Sequence, residues 1–256
     1  MKSVNVQLRK RVTSMPVTGL LAGALAMVAA PIAFGAEAFT VDPAQSRVAI
    51  SGNALGAPLE EQGSGSLVTS YGGTLYVELS GGSIQFASGS RLTAKDSGSW
   101  QPLPDGSSGS ASANYGGKAG DFFTTGVAAA RKVEVNVTSG PLPVVNGNFD
   151  VQPVTFAVPA DASSSLAYQV TGAINKSGAY ALAGQTAGGM ATTGSLYTVG
   201  NQQILTIPVN YTAYFSIASA NDTTLVLTGQ LVAIRTLTTA TPVAQTTNPT
   251  KPVLSP

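Results

Sequence analysis

Leu205-Thr-Ile-Pro-Val-Asn-Tyr-Thr-Ala-Tyr-Phe-Ser-Ile217, followed after a short polar stretch by Leu225-Val-Leu-Thr-Gly-Gln-Leu-Val-Ala233, is the passage that decides the fold class. In the first run Leu205, Ile207, Val209, Tyr211, Ala213, Phe215 and Ile217 occupy every second position, and Thr206, Asn210, Thr212 and Ser216 fall between them. A period of two sends alternate side chains to opposite faces, so this spacing predicts a strand with one buried face. Ser219 to Thr223 is a turn-forming stretch, and Leu225, Leu227, Leu231 and Ala233, with Gly229 among them, repeat the pattern on the return. The two runs together predict a long antiparallel hairpin.

Working outward, strand and turn signals alternate along most of the chain. A short leading segment at 39–43 precedes a strand over 46–51 with Val48 and Ile50 inward, and a further short strand is expected about 55–59. Strands at 66–69 and 74–79 flank Tyr71-Gly72-Gly73, which reads as a hairpin turn because glycine accepts positive φ. A second turn at 80–83 leads into 84–86 and 91–94. Val133, Val135 and Val137 alternate inward in a strand over 131–138, while 127–131 reads as a helical turn or as part of the same strand. Pro153 marks the 149–158 strand as an edge or a bulge. Segments 166–174, 179–183 and 195–199 complete the set. Turns at such spacing predict an all-β domain over residues 39–236, either an antiparallel β-sandwich or a flattened β-barrel with long Gly/Ser-rich loops.

Composition narrows the function classes. The chain has no Cys and no His, which removes thiol chemistry, disulfides, His-based triads and zinc sites built on either residue. Lys2, Arg9, Lys10 and Arg11 precede an apolar run over 19–36, the layout of a signal peptide. Both Ala33-Phe34-Gly35 and Ala36-Glu37-Ala38 fit a small-x-small cleavage rule, and we take residues 1–38 as the leader. Beyond it nine Lys plus Arg face eleven Asp plus Glu, a near-neutral balance that gives nucleic acid no basic patch to bind. Residues 237–256 form a Thr/Pro-rich tail with no apolar span, expected to be disordered. The protein is therefore expected to be exported, either extracellular or at the periplasm or cell surface.

Few residues carry a chemical signal. Glu60 and Glu61 are adjacent, and neighbours on an extended chain point apart, so they do not form a glycosidase pair. Asn146, Asn148 and Asp150 have the spacing that opens some calcium loops but lack the distal Glu, and an Asn-Gly turn is the simpler reading. The alternation breaks over 95–120 into Ser, Gly, Pro and Asn around Trp100, the only tryptophan, with Tyr115 nearby. A structureless loop of this length is the best place for a binding feature. Trp100 and Tyr115 are accordingly the candidate ligand-binding residues, as a platform for a sugar ring or an apolar ligand, against the alternative that Trp100 pins its own loop to a sheet.

Phe39-Thr-Val-Asp-Pro-Ala-Gln-Ser46 with Val48 and Ile50 resembles the first strand of the YceI-like periplasmic lipid-binding barrels. The stretches 64–74, 98–102 and 114–116 are similar to uncharacterised exported bacterial all-β proteins of the sorting-signal-associated type. The first resemblance implies carriage of a small apolar ligand such as a lipid or isoprenoid, and the second implies no activity. With no motif supplying a positioned acid, base or nucleophile, the expectation is a non-catalytic protein without cofactor or metal. Its expected role is structural, adhesive or in a matrix, with envelope, matrix or self-association partners; the alternative is the apolar-ligand carrier.

Overall fold

In the computed structural model the described residues, 35–216 and 223–237, form strands, turns and irregular segments with no helix. Residues 1–34, 217–222 and 238–256, and with them most of the expected leader, the expected turn at 219–223 and the expected tail, lie outside the described residues. Gln202–Phe215 and Thr223–Thr236 pair along their whole length, from Gln202↔Thr236 to Phe215↔Thr223. Leu205 stands opposite Ala233 and Ile207 opposite Leu231, and all four are buried. Further out the face is only half covered, with Val209, Tyr211 and Leu227 packed on the rim of the same core.

The leading segment is more than an approach to the first strand. Glu37–Val41 and Arg47–Ala54 are two halves of one interrupted strand, each lying between Val68–Ser80 and Thr223–Thr236. Asp42 makes the interruption by accepting the backbone N–H of Ala44 at 2.9 Å and the Gln45 amide at 2.6 Å. The Ser46 hydroxyl then takes the place of the missing ladder: it donates to the Val232 carbonyl at 3.1 Å and accepts the Val232 N–H at 2.8 Å. The strand also starts earlier than expected, since the Glu37 carboxylate lies 2.6 Å from the Arg235 guanidinium. Of the two cleavage sites the sequence suggests, a cut after Gly35 would retain this ion pair and one after Ala38 would remove it.

Tyr71-Gly72-Gly73 is not a hairpin turn. Val68–Ser80 runs straight through it as one strand of 13 residues. Thr69, Tyr71, Leu75 and Val77 are all buried, so the alternation never resets. Gly73 supplies a bend, at φ 129°, where a Cβ would sit 2.1 Å from the Arg91 carbonyl oxygen. Across this bend the strand changes partners on both edges. On one side it passes from Arg47–Ala54 to Glu37–Val41, and on the other from Arg91–Ala94 to Ser83–Phe86.

These exchanges close the main sheet into a small barrel-like ring. From Ser83–Phe86 the pairing passes to Leu142–Pro143 and, through the Val145↔Asn148 bridge, to Asn148–Asp150. It continues through Thr193–Val199 into the long hairpin and back by Glu37–Val41 to Val68–Ser80. The bridge is an Asn146-Gly147 turn with both residues at positive φ, as the turn reading of that stretch requires. Phe39, Leu75, Ile84, Phe86, Phe149, Leu205 and Ile207 fill the ring. The Phe86 and Phe149 rings meet at 6.1 Å, in the range of tilted aromatic pairs. Gly194 makes this possible, because a Cβ there would lie 2.3 Å from the Phe149 ring.

Two long strand expectations are corrected. The 131–138 run is divided at Lys132, whose φ is +51°, into the end of Thr124–Arg131 and the separate Glu134–Thr138, which belong to different sheets. The same division shows that 127–131 is strand and not a helical turn. The 149–158 run is divided around Pro153 into Asn148–Asp150 and Thr155–Ala157, because proline cannot donate to a ladder. A second sheet orders Lys176–Ala181, Ser165–Gly172, Thr124–Arg131, Tyr115–Gly120 and Glu60–Glu61. Tyr168 and Val170 on one of its faces pack with Leu55.

Candidate functional site

The 95–120 stretch is not the structureless loop its composition suggests. Gly98–Trp100 and Ala111–Ala113 form a hairpin, and Tyr115–Gly120 is an inner strand of the second sheet. Its glycines make a slot for the Trp100 ring. A Cβ on Gly98 or Gly116 would come within 2.4 Å of Trp100 side-chain atoms, and one on Gly63 within 2.9 Å. The indole Nε1 donates to the Ser97 hydroxyl at 2.9 Å.

Past Trp100 the chain crosses the outer face of the second sheet on a floor of small residues. Gly116 stands opposite Ala129, and Ala129 opposite Ala167; the two alanines are buried. Arg131, two residues along on the same face, reaches over this floor. Its Nη2 donates to the Trp100 carbonyl at 2.9 Å and to the Pro102 carbonyl. Gln62 holds the residue between them, donating to the Gln101 carbonyl and accepting the Gln101 N–H, both at 2.7 Å. Farther across, Gln169 donates to the Ser108 hydroxyl at 2.9 Å, and Gly106 rests on the Gly178 backbone. Arg131 is 5% exposed and its Nε has no hydrogen-bond partner. Desolvation pushes its pKa down, partly opposed by the charge of Asp96. Neither Gln62 nor Arg131 stands out in the sequence as a site residue; the one available signal is a cation continuing the face of Val127 and Ala129.

Trp100 and Tyr115 do not form a common platform. Tyr115 precedes Gly116 on one strand, so its side chain leaves the opposite face. Its ring is 4% exposed, and its hydroxyl lies 3.2 Å from the Tyr71 hydroxyl and 3.3 Å from the Val48 carbonyl. Burial raises the pKa of both phenols, Tyr115 well above its ordinary value and helped there by the Tyr71 charge. Above about pH 10 the unfolded chain would release these protons while the folded one keeps them, so stability falls as pH rises past that point. Urea titrations between about pH 8 and about pH 11 are expected to show the loss, and Tyr71→Phe with Tyr115→Phe is expected to reduce it. An unchanged alkaline slope in the double variant would refute the assignment.

Beside this clamp lies an open polar recess of about 230 Å³ lined by Arg47, Ser64, Ser70, Asp96 and Ser97 among others. Asp96 is fixed by the Ser112 hydroxyl at 2.5 Å and the Asn114 amide at 3.1 Å. Hydroxyls with one cation and one anion suit a neutral, hydroxyl-rich group. Among the described residues no three carboxylates are grouped to hold a metal ion. No family model, curated protein or solved structure matches the chain.

Proposed function

We propose that the chain is a secreted or envelope-associated, non-catalytic β-protein with a structural, adhesive or matrix role. The observation that carries this reading is the filled interior. The ring is packed with large side chains, and the apolar recess between Leu55, Leu59, Ala128, Tyr168 and Val170 holds about 20 Å³. That is room for about one water molecule, whereas a small-molecule pocket takes roughly 300 Å³ or more. Gly229 and Gly172, which would leave space if they faced a lumen, are instead points of close backbone approach. A Cβ on either would lie 2.1 Å from a carbonyl oxygen, of Arg47 or Phe123 respectively.

Native mass spectrometry of the exported protein, with an organic extract of the same sample, tests this. Bare protein, alone or as a ladder of oligomers, is expected. A discrete co-purifying mass that extracts as a lipid would overturn the reading in favour of a carrier.

A further inference from the structure

The end of the second sheet carries an apolar feature formed by residues other than those of the Trp100 clamp. At the turn between Tyr115–Gly120 and Thr124–Arg131, Phe122 is 95% exposed and Phe123 71%, their rings in edge contact at 5.4 Å. The neighbouring turn, between Ser165–Gly172 and Lys176–Ala181, adds Ile174 at 45%.

The turn that carries it is hydrogen-bonded to itself and to its neighbour. Asp121 accepts the N–H groups of Phe123 and Thr124, each at 2.8 Å, and its own N–H donates to the Thr124 carbonyl at 2.8 Å. The two turns are tied by the Ala173 N–H donating to the Phe123 carbonyl at 2.9 Å. Glycines permit both approaches: a Cβ on Gly120 would lie 2.2 Å from the Thr124 carbonyl oxygen, and Gly172 is in equally close contact with Phe123. These bonds satisfy the Phe123 and Thr124 N–H groups and the Phe123 and Thr124 carbonyls, so those groups can leave water without being stranded.

We propose that this double tip is a shallow insertion device for a lipid bilayer. Shape favours a bilayer over a protein partner. Phe side chains bury roughly 200 Å² each, so the exposed parts of the three residues put about 400 Å² of apolar surface on a convex tip. A protein partner would have to bring a matching hollow, whereas a bilayer accepts a convex knob. Of the charged residues at the two turns, Asp121 is engaged by the backbone of its own turn, and Lys176 reaches back over the Tyr168 ring, its Nζ 6.0 Å from the centroid. An anchor this small gives reversible attachment. The inference rests on the envelope reading and gives it a point of contact.

The test is flotation of the full chain, purified as processed by a bacterial exporting host, with vesicles of phosphatidylcholine containing phosphatidylglycerol. Association is expected, with a loss of about tenfold or more for Phe122→Ser/Phe123→Ser, and none for Tyr197→Ser, whose exposed ring lies on another strand. Phe122→Trp adds a reporter at a fully exposed site, and its emission is expected to shift to the blue and to be quenched by bromine-labelled lipid. Equal flotation of wild type and the Phe122/Phe123 double variant, or no quenching, overturns the inference. So does sedimentation equilibrium showing that the double variant instead abolishes a dimer. If vesicles are ignored while the protein still fractionates with the host envelope, only the tip assignment fails; a wholly cytosolic protein removes the envelope reading itself.

Discussion

Gly73→Ala is expected to lower the unfolding free energy by about 3 kcal/mol or more, enough to threaten folding at ordinary temperature. The added methyl would meet the Arg91 carbonyl oxygen at 2.1 Å, and φ 129° is itself strained for a side chain. Neither partner can yield, because Gly73 is paired on both edges, to Val41 and to Leu92. Gly82→Ala is the matched control: its φ is +78°, nothing lies within 4 Å, and the expected cost is about 1 kcal/mol. Urea unfolding of both variants followed by circular dichroism checks this. Equal, small costs would mean that residues 71–73 form an open turn after all.

Trp100→Ala should be the next most damaging change, at about 2–4 kcal/mol, since a large ring leaves a slot formed around it by three glycines. The loss is local in origin. With the ring gone, the Arg131 and Gln62 bonds to residues 100–102 lose the anchor that brings their acceptors into place. Amide hydrogen exchange is therefore expected to quicken over 98–113 while the ring of the main sheet keeps its protection. A variant of unchanged stability and exchange would put the indole on the surface, free to serve a ligand.

The long hairpin was legible because its alternation persists over so many pairs that no other period competes. Gly72-Gly73 shows the opposite case. Turn chemistry argued for a reversal there, yet Thr69, Tyr71, Leu75 and Val77 keep one parity through it, which a reversal would have had no reason to preserve. Continuity of parity was the better evidence. The clamp around Trp100 was illegible for a different reason. Glycine and serine there read as loop formers, whereas Gly63, Gly98 and Gly116 act by lacking a side chain where the indole must pass. The residues that hold the segment, Gln62 and Arg131, lie some 30 or more positions away from it. No local pattern records such a meeting. The apolar tip was equally hidden, since Phe122 and Phe123 sit in a turn that alternation does not describe.

The side-by-side placement of Glu37–Val41 and the end of Thr223–Thr236 bears on how the domain responds to tension. The strands are antiparallel, with Thr40 opposite Ile234, so the two ends of the domain leave from the same side of the ladder. A pull between them loads the Glu37–Arg235 contact first and then the ladder rung by rung, as a zipper opens. Force applied along the strands in opposite directions would instead load the rungs of the ladder together. An assembly that used this domain to bear load would therefore have to grip it across its body and not from end to end.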